Sequence, residues 1–250
     1  MKSLSSMLKK SVLIVGSSSG LGRALFDLYS SNGDNVTGLS RYRNCSVLDE
    51  HQLKGDIHKY DLLQSNTQKD FNHIVMNMSF FTHCIFCVGG GYGIKSMMPS
   101  FDDLLLLLKL NLLVPAALVR SLFDMKKINN ITKICFISSI AAEEVTASVG
   151  YTTAKLALNG YSKLLSKYDN KVGPVMTVKL GAVEGYGAAF DRLKVNNKPA
   201  YEAFIHERLN GSFPMHATNV AEAIVSLLDL PYNLVNGLTI KLDNSESSKV

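Results

Sequence analysis

Short apolar runs alternate along this chain with longer segments in which apolar residues recur every three or four positions. A short continuous run is typical of a buried strand, and the longer period is typical of an amphipathic helix. We predict strands at residues 11–15, 35–39, 57–60, 83–88, 133–138, 174–180 and 238–242. We predict helices at residues 20–31, 65–79, 101–127, 150–167 and 217–230.

This alternation predicts an α/β fold with a Rossmann-type, doubly wound parallel sheet of about seven strands and helices on both faces. Parallel strands need right-handed crossover connections, and the predicted helices supply them. We expect one domain over residues 1–250. Residues 181–216 are the least regular, and we expect a substrate-binding loop region at 184–216. The polar tail 243–250 is expected to be flexible.

The composition is that of a globular protein, and it favours neither nucleic acid nor a membrane as partner. The chain has 250 residues, a hydrophobic fraction of 46% and a net charge of +5. Its basic residues are scattered, which is typical of a solvated surface. The most apolar stretch, 104–119, contains Lys109, Asn111 and Pro115. Its uninterrupted part is therefore too short for a membrane span, and we expect a buried helix at a domain or subunit contact.

The four cysteines indicate neither disulfides nor a metal site. No secretion signal precedes Cys45, Cys84, Cys87 and Cys135, so we expect a cytoplasmic protein with free thiols. Cys84 and Cys87 form a C-x-x-C pattern, but in a strand residues three apart point to opposite faces. No second Cys or His pair has a spacing that suits zinc.

A glycine-rich turn joins the first predicted strand to the first predicted helix. Glycines there allow a tight turn, a close approach of backbone to a pyrophosphate, and close packing of helix on strand. The helix N-terminus adds free amides and a positive dipole end. We predict a dinucleotide site, with an ordinary turn as the alternative. The residues concerned are Gly16, Ser18, Ser19, Gly20, Leu21 and Gly22.

Tyr151 and Lys155 are four residues apart in a predicted helix, so their side chains lie on one face. A nearby lysine charge favours the phenolate and lowers a tyrosine pKa from its usual value of about 10. Such a tyrosine can exchange a proton with a carbonyl/alcohol couple. The pair follows the fifth predicted strand, at the sheet edge where ligands bind in this kind of fold. A surface pair without chemical function is the alternative.

The glycine spacing G-x-x-x-G-x-G, the Y-x-x-x-K pair and an I-S-S segment ending at Ser139 resemble the short-chain dehydrogenase/reductase family over nearly the whole chain. The resemblance implies that Tyr151 is the catalytic tyrosine and that Lys155 holds the nicotinamide ribose and assists it. Ser139 matches the catalytic serine by local pattern. Ser138 matches it by the family's more frequent spacing of 13 residues to the tyrosine. Ser138 therefore remains an alternative to Ser139 as the catalytic serine. Asn111 matches an asparagine that supports a proton-relay water.

The residues after the second predicted strand favour NADP(H) over NAD(H). Folds that bind NAD usually place an acidic residue there for the ribose hydroxyls, and Leu39-Ser40-Arg41 contains none. Arg41 can pair with a 2′-phosphate through its guanidinium fork. The hydroxyls of Ser17, Ser18 and Ser40 can add donors. A solvated Arg41 is the alternative.

The resemblance implies further cofactor contacts. Asp61 and Leu62 match a segment that contacts adenine, and Gly89 matches the turn after the fourth strand. Gly181 and Val183 match positions around the nicotinamide. The chain departs from the family at 86–89, which lacks the asparagines, and at 180–185, which lacks the proline.

These features together predict an NADP-dependent oxidoreductase that moves hydride between nicotinamide and a small carbonyl or alcohol substrate. Two alternatives stay open: a nucleotide-binding regulatory protein of the same fold without turnover, and an epimerase or dehydratase. The resemblance also implies a homodimer or homotetramer formed through the helices at 101–127 and 150–168. Candidate apolar walls of the substrate pocket, unless they are ordinary core, are Tyr186, Phe190, Tyr201, Phe204 and Phe213.

Overall fold

A seven-stranded parallel sheet forms the centre of the protein, seen in a computed structural model that describes residues 9–41, 55–144, 147–168 and 171–244. Cys45 and most of the expected flexible tail lie outside the described residues. The strands are β1 (Ser11–Val15), β2 (Asn35–Ser40), β3 (Gly55–Lys59), β4 (His83–Phe86), β5 (Lys133–Ser139), β6 (Val175–Leu180), β7 (Val183–Glu184), β8 (Met215–His216) and β9 (Thr239–Leu242).

The strand order of the central sheet is β3-β2-β1-β4-β5-β6-β9, and every neighbouring pair is parallel. The chain reverses its direction of travel across the sheet between β1 and β4. In such a sheet, ligands bind outside the carboxyl ends of the strands at this reversal. The predicted Rossmann-type α/β fold is therefore confirmed.

Helices cover both faces of the sheet. They are α1 (Gly20–Ser31), α2 (Gln68–Val75), α3 (Phe101–Leu108), α4 (Val114–Asp124), α5 (Val149–Leu165), α6 (Ala189–Asn196), α7 (Lys198–Arg208), α8 (Ala217–Leu228) and α9 (Tyr232–Val235). Apolar side chains of α1 and α8 form the core on one face. Those of α2, α4 and α5 form the core on the other face.

Strand β1 shows why a continuous apolar run becomes a central strand. Val12 and Ile14 point into one core, whereas Leu13 and Val15 point into the other. All four side chains are 0% exposed. Burial of each contributes about 1.5–3 kcal/mol, and truncation of such a residue to alanine typically costs about 2–5 kcal/mol because a cavity is left behind.

The segment predicted as a long helix or helix pair is a helix with a π-helical turn in its middle. The turn spans Lys109–Leu113 and separates α3 from α4. The turn contains Asn111. Pro115, the second residue of α4, lacks the amide that would donate a regular α-helical bond back into the turn. π-Helical turns of this kind are frequent at functional sites.

The same helical segment, Phe101–Asp124, is long and apolar enough to cross a membrane by length and composition alone. In the structure, 44% of its most apolar window is buried. Core helices of globular proteins also meet these criteria of length and composition. Leu107, Val114 and Leu118 of this segment are fully buried in the protein.

Residues 184–216 differ from the irregular loop region that we expected. They contain α6 and α7, and β8 pairs in parallel with β7 as a small second sheet. The apolar periodicity of the two helices is weak because α6 buries no residue and α7 buries only Tyr201. The N-termini of the two helices are instead defined by side-chain caps. The Asp191 carboxylate accepts a hydrogen bond from the Ala188 amide, and the Asn197 side chain accepts one from the Ala200 amide.

One titratable side chain is buried at the opposite edge of the sheet from the strands' carboxyl ends. His83 begins β4, is 7% exposed, and has its Nδ1 atom 2.9 Å from the Thr82 hydroxyl. Burial, together with the nearby charges of Lys10 and Lys133, lowers the pKa of His83 to about 3, and the charge of Asp229 acts in the opposite direction.

We predict that His83 makes the protein less stable in mild acid. An unfolded chain protonates a histidine near pH 6.5, whereas folded His83 stays neutral to a pKa of about 3. Stability is therefore full above pH 6.5 and falls below it, by up to about 1.4 kcal/mol per pH unit. Urea unfolding at pH 7.5 and pH 5 should show a smaller acid loss in His83→Gln than in wild type. His206→Gln, at an exposed histidine of α7, is the control, and equal losses in all three proteins would refute the prediction.

Candidate active site

A cavity of about 1270 Å³ lies at the carboxyl edge of the sheet. Its walls come from the segments that follow β1, β4, β5 and β6, together with α6 and α7. The volume exceeds the roughly 300–1,000 Å³ of an ordinary small-molecule pocket. The cavity is therefore large enough for a substrate beside part of a cofactor.

The glycine turn after β1 depends on two backbone positions. Gly16 has a φ of +90°, which side chains rarely tolerate, and a Cβ there would lie 2.9 Å from the Val88 nitrogen. A Cβ at Gly22 would lie only 2.1 Å from the Gly16 carbonyl oxygen. Any other residue at Gly22 would push α1 away from β1.

The N-terminus of α1 presents free amides to the cavity. Among the described residues, no acceptor bonds the backbone N–H of Leu21 or Gly22, and both residues line the cavity. The amide of Gly20 is not free, because it donates to the Tyr186 carbonyl oxygen at 2.8 Å. Two donors at a positive helix end fit a pyrophosphate, so the turn suits the phosphates of a dinucleotide.

The serines of the turn differ in their surroundings. Ser19 is exposed and lines the cavity, and Ser18 is partly exposed beside it. Ser17 is 0% exposed, and its hydroxyl lies 2.4 Å from where a Cβ of Gly38 would be. The hydroxyl of Ser17 therefore packs beneath the turn, not toward a 2′-phosphate as the sequence suggested.

The residues predicted to hold the adenosine end lie at the ends of β2 and β3, outside the cavity. Ser40 ends β2 and is buried, whereas Arg41 follows it and is exposed. The Tyr60 amide donates to the Ser40 carbonyl at 2.7 Å and joins the two strand ends. Asp61 accepts the Leu63 amide at 3.2 Å and starts a short turn in which Leu62 is buried.

Asn111 anchors the loop that follows β4. Its side-chain oxygen accepts the Gly90 amide at 3.0 Å, and its NH₂ group donates to the carbonyls of Gly90 at 3.1 Å and Leu107 at 2.9 Å. A Cβ at Gly89 would lie 2.6 Å from Asn111 Oδ1 and 3.0 Å from Lys155 Nζ. The Asn111 side chain thus positions the loop, and its carboxamide is already hydrogen-bonded to protein groups.

The structure separates the two candidate serines at the end of β5. Ser139 accepts the Ala141 amide at 3.2 Å, and its hydroxyl lies close enough to Tyr151 to oppose the rise that burial causes in the tyrosine pKa. Ser138 is 4% exposed, and its hydroxyl has no hydrogen-bond partner among the described residues. The geometry therefore brings Ser139, and not Ser138, to the tyrosine.

Tyr151 and Lys155 lie in adjacent turns of α5, and both line the cavity. Lys155 Nζ donates to the Ile137 carbonyl at 2.9 Å and lies 5.7 Å from the centre of the Tyr151 ring. Burial lowers the pKa of Lys155 to about 8. Burial also raises the pKa of Tyr151. The lowered tyrosine pKa that the sequence suggested is thus not found, because desolvation outweighs the opposing interaction with Ser139.

The segment after β6 completes the wall. Gly181 lies against Asp243, since a Cβ there would be 1.9 Å from the Asp243 carboxylate oxygen. Val183 follows in β7, and both Gly181 and Val183 line the cavity. Of the five aromatic residues suggested as substrate walls, Phe190 and Phe204 line it.

Some contributors to the site have no recognisable sequence signal. Cys87 lines the cavity, and burial raises its pKa to about 12. Asp191 accepts the amides of Gly185 and Ala188 and so shapes the loop that rests on Gly20. Only an acid three residues into α6 hinted at this cap. Within the described part of the chain, no group of three or more His, Cys, Asp or Glu residues could hold a metal ion.

Solved structures share this fold at low sequence identity. A ligand-free aldohexose dehydrogenase of Thermoplasma acidophilum is 19% identical, with a TM-score of 0.77 over 97% of this chain and 95% of that chain. BdcA in complex with NADPH is 18% identical, with a TM-score of 0.77 over 96% and 95%. A 4-hydroxyisoleucine dehydrogenase complexed with NADH is 17% identical, with a TM-score of 0.78 over 97% and 100%.

The family is shown by the sequence itself. No curated protein sequence matches the chain significantly, but the family model described as short chain dehydrogenase matches residues 10–185. That match covers more than half of the chain and includes the glycine turn and the Tyr151–Lys155 pair. The chain therefore belongs to the short-chain dehydrogenase family and is an oxidoreductase that acts on CH–OH or C=O groups with a nicotinamide cofactor.

Proposed function

We propose that the protein is an NADP(H)-dependent carbonyl reductase or alcohol dehydrogenase in which Tyr151, Lys155 and Ser139 carry the proton chemistry. The observation that supports this most is that Tyr151, Lys155 and Ser139 all line one cavity together with the free amides of Leu21 and Gly22. A proton donor and a pyrophosphate site thus share one space.

The side chains divide the work between them. A bound nicotinamide supplies or accepts the hydride. The substrate oxygen hydrogen-bonds to the hydroxyls of Ser139 and Tyr151, and Tyr151 gives it a proton in reduction or takes one in oxidation. Lys155 is a buried ammonium near the phenol, and with a pKa of about 8 it can release or regain a proton close to neutral pH. Asn111 is a positioning residue, since it fixes the Gly89–Gly90 backbone against Lys155.

The preference for NADP(H) rests on the end of β2. Structures similar to this one hold either NADPH or NADH, so the neighbours do not decide the cofactor. Arg41 is exposed directly after β2, and residues 39–41 include no acid. A guanidinium there matches a 2′-phosphate, whereas a carboxylate would repel it.

The exposed apolar faces of α3 and α5 support self-association as a homodimer or homotetramer. Phe101 and Leu105 on α3 are 78% and 45% exposed, and Leu156 and Leu164 on α5 are 51% and 72% exposed. The two helices pack side by side, and exposed apolar patches of this kind mark interaction surfaces. Light scattering measures this directly, and a mass of 27.4 kDa, that of one chain, would contradict it.

The Tyr151→Phe variant should lose turnover and keep cofactor binding. The change removes the proton donor and leaves the ring in place, and general acid–base catalysis is typically worth about 10²- to 10⁴-fold. Steady-state kinetics on an accepted carbonyl compound, together with calorimetric titration of NADPH, measure the two effects. Tyr161→Phe is the control, because Tyr161 lies on the same helix and packs edge-on against Phe136. Full activity in Tyr151→Phe would refute the assignment.

Tight binding of NADPH by wild type without turnover of any carbonyl or alcohol would favour a regulatory protein.

We expect NADPH to bind wild type at least about tenfold more tightly than NADH, and Arg41→Ala to remove most of that difference. A hydrogen bond to a charged group is worth about 1.5–3 kcal/mol, and about 1.4 kcal/mol corresponds to a factor of ten in affinity. Calorimetric titration of both cofactors gives the dissociation constants. Arg120→Ala, which removes an exposed arginine paired with Asp124 on α4, serves as the control. Equal affinities for the two cofactors in wild type would overturn the preference.

A further inference from the structure

Two cations on the cavity wall have no part in the proposed chemistry. Lys95 lies in the loop between β4 and α3, and Arg208 is the last residue of α7. Both are exposed and both line the cavity. The side chain of neither residue has a hydrogen-bond or ion-pair partner among the residues that the structure describes. Both are therefore available to a ligand.

The other charged residues of the cavity do not fully compensate this positive charge. Lys241 is paired with Glu144 at 2.7 Å and with Asp243 at 3.4 Å. Arg192 donates to the Gly187 carbonyl, in the loop that rests on the glycine turn. Glu207 is the third acid among the described wall residues, after Glu144 and Asp243. Five cations face these three acids, since Lys155 also lines the cavity, so the wall carries a net positive charge.

Arg208 and Lys95 each have an apolar neighbour on the cavity wall. Phe204 is one helical turn before Arg208, so the two side chains share a face of α7, and both line the cavity. Phe204 packs on Phe190 with ring centres 4.6 Å apart. Lys95 lies next to Ile94, which also lines the cavity. An apolar surface that ends in a cation matches a ligand with an apolar body and an anionic end.

We propose that the substrate is a carbonyl compound, or the corresponding alcohol, with an apolar body and an anionic group. The apolar body packs on Phe190 and Phe204, and Arg208 and Lys95 bind the anionic group while the carbonyl is held at Tyr151. This inference rests on the proposed function for the reacting end of the molecule. The anionic group is a carboxylate or a phosphate monoester, since a guanidinium pairs with either one.

Matched substrate pairs test the proposal by turnover. The probes are 4-oxopentanoate, 6-oxoheptanoate and 8-oxononanoate, each against its methyl ester, and 5-oxohexyl phosphate against the unphosphorylated alcohol, 6-hydroxyhexan-2-one. The series varies the distance between carbonyl and anion, and the last pair separates phosphate from carboxylate. With NADPH, at least one anion should have a kcat/KM about tenfold or more above that of its neutral partner. Equal kcat/KM values within every pair would overturn the proposal.

Variants locate the anion site. Arg208→Gln should lower kcat/KM for the preferred anion about tenfold through KM, with kcat and the activity on the neutral partner unchanged. Lys95→Gln should act in the same direction. Lys198→Gln is the control, because Lys198 is an exposed lysine in the first turn of the same helix and does not line the cavity. This variant should leave kcat/KM unchanged for both the anion and its neutral partner. An equal loss for the anion and its neutral partner in Arg208→Gln would refute the assignment.

A binding measurement keeps this inference separate from the proposed function. If no carbonyl compound is turned over, the proposed function fails, and heptanoate and heptanamide can still be titrated calorimetrically into the NADP⁺-saturated protein. Binding of heptanoate that is stronger than that of heptanamide, and that is lost in Arg208→Gln but not in Lys198→Gln, would support the anion site. Absence of heptanoate binding, or binding that Arg208→Gln leaves unchanged, would overturn it.

Discussion

The backbone of Gly16 and the Cα atom of Gly22 lie so close together that no side chain fits between them. A Cβ on Gly22 would be 2.1 Å from the Gly16 carbonyl oxygen, well inside van der Waals contact. This approach packs the first turn of α1 against the end of β1, with Leu21 and Leu25 in the core shared with α8. The same contact directs the free amides of that turn into the cavity. Both the packing on this face of the sheet and the pyrophosphate site therefore depend on it.

The chemistry depends on a second arrangement, made by the ends of β4 and β5 and the start of α5. Asn111 holds the Gly89–Gly90 backbone, and that backbone lies against Lys155. Burial makes both charged forms costly, because it lowers the pKa of Lys155 and raises that of Tyr151. In this state the pair favours a neutral phenol, which is the form that can donate a proton to a substrate oxygen.

Strong periodicity and glycine chemistry made much of the fold and the turn predictable. Strand 11–15 and helix 20–31 match the structure to the residue, because continuous burial and the glycine turn define their ends. The helices within 184–216 were missed, since α6 buries nothing and α7 only Tyr201. Their apolar residues thus follow no clear helical period.

Within the site, the sequence indicated which residue types meet but not their partners. The hydrogen bonds of Asn111 depend on a π-helical turn that no local pattern announces. The raised pKa of Tyr151 depends on burial by distant segments. Lys95 and Arg208 are ordinary surface cations in the sequence, and they line one cavity only because α7 and the loop after β4 fold to the same edge of the sheet.

A crystal structure of the protein with NADP⁺ tests the central claim most directly. The account predicts pyrophosphate oxygens within hydrogen-bond distance of the amides of Leu21 and Gly22, with the nicotinamide beside Tyr151 and the 2′-phosphate at Arg41. A dinucleotide bound away from the glycine turn, or no nucleotide in the cavity at saturating concentration, would contradict it.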